Sequence, residues 1–490
     1  MPIIKCKSFI YFIAIFFISV HLYANEQRDN IDAYLSHCEK INVCNGVFLV
    51  ANEGKVILNK AYGKDGTTHN KPLTTQHKFD IGSVSKQFTA AGIMRLKDQG
   101  KLDFDDLLEK YIPEINYPSI TIKNLMNHTS GIPETMKYFT KQYRKDQVKY
   151  PITNQRMISV LATKNLPKYF EPGENWKYSN TGYYLLASII ERVSGLPYSQ
   201  FMKLEFFKPL GMDDTSVYQV NNDNKFNLNR SYGYIEKFDG STRPFDQIPF
   251  YFLVGSGGIY STAKDLFTWS QALLSQELFS KDSWEKALSS TEYGNNQLKE
   301  YGFGWGLKPS KSGKKAIKHS GDWRGFTTGF AIYPDAQQTI VILTNNNSHD
   351  AIDDIHSSLN DLLEGKETSP VKQSLSKVLY PILINSNLTK AKSIINNAIK
   401  PDNNDYLTDK KMINRLGYEM LKLKKVQEAI VVFKFNNDKY SDTPNTFDSL
   451  AEAYSISGEL EKASNLLDRM ESLFPKYIDY EDRKKKLKLI

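Results

Sequence analysis

Three short stretches of this chain carry side chains able to make and break a bond at a carbonyl carbon. In Phe79-Asp80-Ile81-Gly82-Ser83-Val84-Ser85-Lys86-Gln87-Phe88 a hydroxyl sits where an extended segment gives way to a helical pattern, with an amine three residues on. A serine hydroxyl is a poor nucleophile at pH 7 and needs a basic neighbour; helical spacing puts Lys86 on the same face as Ser83. The helix start also offers the positive end of its dipole to an alkoxide or to the oxyanion formed on attack. In Trp176-Lys177-Tyr178-Ser179-Asn180-Thr181-Gly182-Tyr183 a phenol and a carboxamide stand two apart ahead of a second helix. A phenol beside an ammonium is expected to lose proton affinity and serve as a base, and Asn180 can donate to a substrate carbonyl. In Ile317-Lys318-His319-Ser320-Gly321-Asp322-Trp323-Arg324-Gly325 a strand ends in a glycine that lets a substrate backbone approach. An amide just after it can complete an oxyanion hole with the amide of Ser83. Each pattern alone is weak: Ser312 to Lys315 and Ser374 to Lys377 repeat the first, and Tyr293-Gly294-Asn295 repeats the second. A helix cap is the ordinary role of such a serine.

Their order along the chain is more specific. Ser83-x-x-Lys86, Tyr178-x-Asn180 and His319-x-Gly321 resemble the three motifs of β-lactamase-like serine hydrolases. That group takes in class C β-lactamases, penicillin-binding DD-peptidases, and related esterases and D-aminopeptidases. Asn127-His128-Thr129-Ser130-Gly131-Ile132-Pro133, the run from Gly257 to Leu266, and Tyr301-Gly302-Phe303-Gly304-Trp305-Gly306 are similar to stretches of the same family. The resemblance implies an antiparallel sheet flanked by helices, with a mostly helical lobe and the site in the cleft between them. It implies Ser83 as the acylated nucleophile, Lys86 as its proton partner, and Tyr178 as the general base that also helps activate the deacylating water. Asn180 would hold the substrate amide, His319 and Gly321 would line the substrate, and the amides of Ser83 and Asp322 would form the oxyanion hole. Neither a metal nor an organic cofactor is called for.

One position departs from the pattern. β-Lactamases and many DD-peptidases begin the third motif with lysine, whose charge holds a substrate carboxylate; here it begins with His319, as in esterase-like and D-aminopeptidase-like branches. A mostly neutral imidazole is a weaker carboxylate anchor at pH 7. Arg324 is the nearby cation able to compensate, although a surface ion pair is its commoner use. The expected activity is hydrolysis of an ester or amide through an acyl-serine, with a β-lactamase or D-Ala-D-Ala carboxypeptidase as the alternative. A non-catalytic sensor of peptidoglycan fragments is a third reading, and it would need neither Lys86 nor Tyr178.

Elements must bring these stretches together. The chain has 490 residues, 40% of them hydrophobic and 12% aromatic, which excludes a disordered chain and implies at least two domains. Val47–Val50 and Lys55–Leu58 flank Asn52-Glu53-Gly54, and Thr328–Tyr333 and Thr339–Leu343 flank Pro334-Asp335, giving two hairpins. Helical patterns lie between, including Lys86–Gln99 and Tyr183–Val193. The fold class is therefore α/β of the α+β type over residues 25–365, one antiparallel sheet built from both ends with helices inserted. Residues 366–490 read as an all-α domain: Gly417 and Ala451, Ala429 and Ala463, and Phe433 and Leu467 recur at 34 residues, resembling tetratricopeptide repeats. A helical stretch over Leu375–Ile399 supplies a further packing partner, and Arg483–Lys486 reads as a solvated helix end.

Residues 1–24 have the layout of an export signal: Lys5 and Lys7, an apolar run from Phe9 to Val20, then Leu22-Tyr23-Ala24. The protein is expected in the periplasm or outside the cell, touching membrane only through that segment. Cys38 and Cys44 can then form a local disulfide without being required to, and scattered histidines make a structural metal improbable. An excess of 8 basic residues is spread along the chain and points to no nucleic-acid partner. Expected partners are a small ester, peptide or peptidoglycan-derived substrate, and a protein at the repeats.

Overall fold

The computed structural model describes residues 25–67, 71–144, 151–219, 229–248, 250–347, 351–369, 371–400, 405–475, 477–478 and 480–488. The expected export signal lies outside the described residues. The chain divides into two compact units: one runs to Ile235 and resumes over Arg243–Thr368, the other joins Glu236–Thr242 to Ser369–Ile490.

In the first unit the elements that frame the site are α1 (25–40), β1 (Gly46–Asn52), β2 (Lys55–Tyr62), β3 (Phe79–Asp80) and α2 (Ser85–Asp98). They continue with α3 (Asn180–Ser194), β4 (Ile259–Ser261), α4 (Ala263–Leu274), β5 (Ile317–Trp323), β6 (Phe326–Tyr333), β7 (Gln338–Thr344) and α5 (Ile352–Leu363). Five strands form one antiparallel sheet in the order β5-β6-β7-β1-β2, so the unit's first and last strands are neighbours. Its turns follow from local chemistry. Glu53 and Gly54 both have positive φ, 51° and 71°, which matches the twist of a two-residue hairpin. The β6–β7 connection is a 3₁₀ turn, Pro334–Ala336, closed by Gln337 at φ 48°.

Strands β6 and β7 are buried along their whole length and β1 along nearly all of it, so both sheet faces are covered. Val47, Leu49, Val341 and Leu343 enter a core shared with Leu266, Trp269 and Leu273 of α4. The intervening Phe48, Val50, Ile340 and Ile342 are also buried, on the opposite face by strand alternation. There Gly329 faces Ile352 of α5. Helices α2 and α3 form the centre of the helical lobe. Tyr183 to Ile190 of α3 are continuously buried, and a Cβ on Gly92 of α2 would lie 2.7 Å from Ile190 Cδ1. That close approach locks together the two helices that carry Lys86 and Asn180.

Cys38 and Cys44 are bonded, their Cα atoms 5.2 Å apart, closing the connection between α1 and β1. The sulfur of Cys38 is thereby not available as a thiolate metal ligand beside His37.

The second unit contains α6 (Leu375–Ile384), α7 (Leu388–Ala398), α8 (Lys410–Lys422), α9 (Val426–Lys439), α10 (Pro444–Ser457), α11 (Leu460–Leu473) and α12 (Tyr480–Lys486). The single helical stretch expected over Leu375–Ile399 is two helices, because Ser386 takes φ 54° and ends the first. A Cβ on Gly417 would stand 2.4 Å from the Phe433 ring, so this glycine is what lets α8 and α9 close on each other. Tyr418 reaches Glu452, 34 residues on, through its hydroxyl at 3.2 Å, so the period in the sequence corresponds to neighbouring helices. The basic tail differs from the expected solvated end: Arg483 pairs with Asp448 and Glu452, and Lys484 with Asp468, latching α12 to α10 and α11.

Candidate active site

Ser83 lies in the 3₁₀ turn Gly82–Val84 that joins β3 to α2. The buried Asp80 carboxylate accepts from the Gly82 amide at 2.8 Å and draws the turn back onto its own strand. Gly82 has φ 51°, and a Cβ there would be 2.7 Å from the Asp322 amide nitrogen. A Cβ on Gly321 would be 2.1 Å from the Ile81 carbonyl oxygen. Two glycines thus allow the edge strand β5, with the Asp322 amide, to press on the turn that carries Ser83.

Lys86, the second residue of α2, is wholly buried. Its Nζ lies 3.2 Å from Ser83 Oγ and donates to Asn180 Oδ1 at 2.8 Å and to the Ser256 carbonyl at 3.0 Å. It also stands 4.6 Å from the centre of the Tyr178 ring and 5.5 Å from that of Tyr183. Burial pulls its pKa down to about 7, with the Glu134 carboxylate pulling the other way. The amine therefore holds a substantial uncharged fraction at neutral pH. An uncharged amine has two hydrogens, and Asn180 Oδ1 and Ser256 O accept both. Its lone pair is left facing the hydroxyl of Ser83.

Tyr178 is brought into the same cluster, hydrogen-bonded to Ser83. Its expected loss of proton affinity is not met: burial raises its pKa far above the ordinary phenol value, outweighing the Ser83 hydrogen bond. The reason is geometric. The Lys86 nitrogen lies over the ring and is itself only partly charged, while His128, Tyr301 and His319 enclose the phenol with ring centres 4.3, 6.3 and 6.2 Å away. A phenol held in this way keeps its proton at neutral pH.

Asn180 opens α3, capped by Ser179, whose Oγ accepts from Gly182 at 3.2 Å. His319 projects from β5 with Nδ1 2.6 Å from the Ser320 carbonyl and Nε2 3.0 Å from the Tyr301 hydroxyl. Nδ1 must donate to that carbonyl, so Nε2 accepts from Tyr301. Burial and the Lys86 charge push its pKa down to about 4, and it stays neutral through the physiological range. Arg324 makes no compensating anchor: its Nε donates to the Asp246 carbonyl at 3.0 Å and its guanidinium covers the Phe245 ring at 4.0 Å. A cavity of about 310 Å³ adjoins the cluster, walled by Tyr178, Tyr301 and His319 on one side and by Ile352, Asp353 and His356 on the other.

The rival matches do not converge on anything comparable. Ser312 Oγ donates to Glu364 in the first unit, and Lys377 pairs with Glu236 in the second. Three contributors went unassigned in the sequence. The Ser256 carbonyl belongs to a backbone atom and leaves no side-chain signal. His128, at φ 68°, accepts from the Ser179 amide at 3.2 Å through Nδ1 and packs on Tyr178; its stretch carries the family resemblance but no role by itself. Glu134 follows that stretch directly and holds the start of α3.

A sheet of this order, a helical lobe, and a serine, lysine and tyrosine gathered at their junction define a serine hydrolase of the penicillin-binding type. The chain belongs to the beta-lactamase family, whose model matches residues 31–361. It is 36% identical over 309 residues to penicillin-binding protein 4* of Bacillus subtilis, covering 61% of this chain and 68% of that one. It is 30% identical over 336 residues to protein flp of Staphylococcus aureus, covering 66% of this chain and 64% of the other. Among solved structures, the octameric penicillin-binding protein homologue from Pyrococcus abyssi superposes with a TM-score of 0.60 at 26% identity, over 72% of this chain and 81% of that one. The D-amino acid amidase from Ochrobactrum anthropi shares the fold, with a TM-score of 0.59 at 20% identity, over 69% of this chain and 99% of the other.

Proposed function

We propose that the protein is an exported hydrolase that cleaves ester or amide bonds through a covalent acyl-Ser83 intermediate. The observation that carries this reading is the set of partners around Lys86, which leaves a free amine no use for its lone pair other than the Ser83 proton. Ser83 Oγ attacks the carbonyl carbon while its proton passes to Lys86. The amides of Ser83 and Asp322 take the developing oxyanion. As the old bond breaks, Tyr178 gives its proton to the leaving oxygen or nitrogen, and the Lys86 ammonium restores the phenol. Water then attacks the acyl ester, yields a proton to Lys86, and Ser83 departs with that proton. Asn180 and the β5 edge at His319 and Gly321 hold the substrate.

The Cys38–Cys44 disulfide and the basic-then-apolar start of the chain support export to an oxidising compartment. Among the described residues no helix is long and apolar enough to cross a membrane. The second unit is read as tetratricopeptide-like, offering a surface to a protein partner.

Replacing Ser83 by Ala is expected to reduce turnover of a nitrophenyl acyl ester on the order of 10³-fold or more. Unchanged turnover would remove Ser83 from the role. A β-lactamase or D-Ala-D-Ala carboxypeptidase is the second reading, favoured by the similarity to penicillin-binding protein 4*. Neutral His319 weighs against a substrate anchored by its carboxylate. Rates on nitrocefin, a D-Ala-D-Ala peptide and a short-chain ester, measured on one preparation, rank the two.

A further inference from the structure

Glu134 directs a single carboxylate oxygen at the first turn of α3. Oε1 accepts from the Asn180 amide at 2.7 Å, the Ser179 hydroxyl at 2.8 Å and the Thr181 amide at 3.3 Å. The first amides of a helix have no partner within it, and together they carry about half a positive charge. The side chain of the same Asn180 accepts from Lys86 at 2.8 Å, so Glu134 stands two hydrogen bonds from the amine. We propose that Glu134 is a positioning residue for catalysis, locking the turn that carries Asn180 and cancelling the positive helix start that would otherwise face Lys86. This deepens the acyl-serine reading above and rests on it.

The other groups around the amine cannot replace that charge. Ser83 and the Asn180 and Ser256 oxygens are neutral. The rings of Tyr178 and Tyr183 are phenols kept protonated by burial, and His128 and His319 are imidazoles kept uncharged by burial and by Lys86 itself. Glu134 is the carboxylate whose field acts on Lys86, and it favours the ammonium against the cost of burial. Without it the amine would lose its proton more readily and Asn180 would be held less firmly.

The test is the rate at which a fluorophosphonate labels the full-length protein between about pH 5 and 9, in the wild type and in the Glu134→Gln, Glu134→Asp and Ser83→Ala variants. Glutamine keeps an acceptor oxygen and drops the charge. The acid limb, near pH 7 in the wild type, is expected to move down by roughly half to one unit in Glu134→Gln. Glu134→Asp keeps the charge and should leave the limb near the wild-type position while lowering the plateau several-fold. A limb that stays in place in Glu134→Gln, or moves equally in both variants, overturns the proposal while leaving the hydrolase intact. No labelling of the wild type, or equal labelling of Ser83→Ala, overturns the hydrolase reading instead. Should Glu134→Gln fail to fold, Glu134→Ala is compared with Glu134→Asp, and a common limb is again the overturning result.

Discussion

The site drives the proton affinities of Lys86 and Tyr178 apart. Away from a protein the phenol and the ammonium titrate within about half a unit of each other. Here the same desolvation acts on both with opposite sign, because burial disfavours whichever form is charged. It lowers the amine to about 7 and raises the phenol, which suits the lysine to the part of base and the tyrosine to that of acid in the proposed mechanism. The consequence depends on the leaving group. Tyr178→Phe is expected to slow an amide substrate by on the order of 10²–10⁴-fold, while an activated nitrophenyl ester, whose leaving group departs as an anion, loses under about tenfold. Equal losses on the two substrates, measured as kcat, would return Tyr178 to the role of base in acylation.

At the scale of elements, the turn that carries Ser83 is hung from a very short strand. Asp80 of β3 is buried with one oxygen on the Gly82 amide, near the Arg230 guanidinium that Asp246 already pairs at 2.8 Å. Burial raises the Asp80 pKa to about 7, with the Gly82 hydrogen bond and Arg230 opposing. A carboxyl whose folded pKa exceeds its unfolded value contributes stability below the unfolded pKa and loses it as pH rises through the folded one. Between about pH 4 and 7 the wild type should therefore lose on the order of 2–4 kcal/mol that Asp80→Asn, which does not titrate, retains. Urea unfolding of both proteins at pH 5 and pH 8 checks this, and parallel pH dependence would refute it. The elements themselves were largely legible. Glu53-Gly54 and Pro334-Asp335 marked both hairpins because turn chemistry is local, and helix ends fell within a few residues of the expected ones. The break at Ser386 was not legible, since a serine in the left-handed region answers to its surroundings rather than to its own preference.

At the scale of the molecule, small residues mark where elements must touch. Gly417 is such a point in the second unit, and Gly417→Leu should drive its side chain into Phe433. Overpacking of this kind costs roughly 1–3 kcal/mol, and a lowered thermal transition followed by far-ultraviolet circular dichroism is the expected result. An unshifted transition would show that α8 and α9 have slack the packing does not reveal.

Read alone, the sequence determined which side chains are able to do chemistry, in what order they occur, and which stretches become hairpins and helices, because side-chain spacing, turn residues and apolar periodicity are encoded within a few neighbours. The Ser-x-x-Lys spacing left Ser83 level with Ser312 and Ser374 until the order of the three motifs singled it out, and the sequence could not assign the protons. Those were decided by tertiary structure. The partners that complete Lys86 arrive from 94 and 170 residues away, and the water excluded by their packing sets the charge each group can hold.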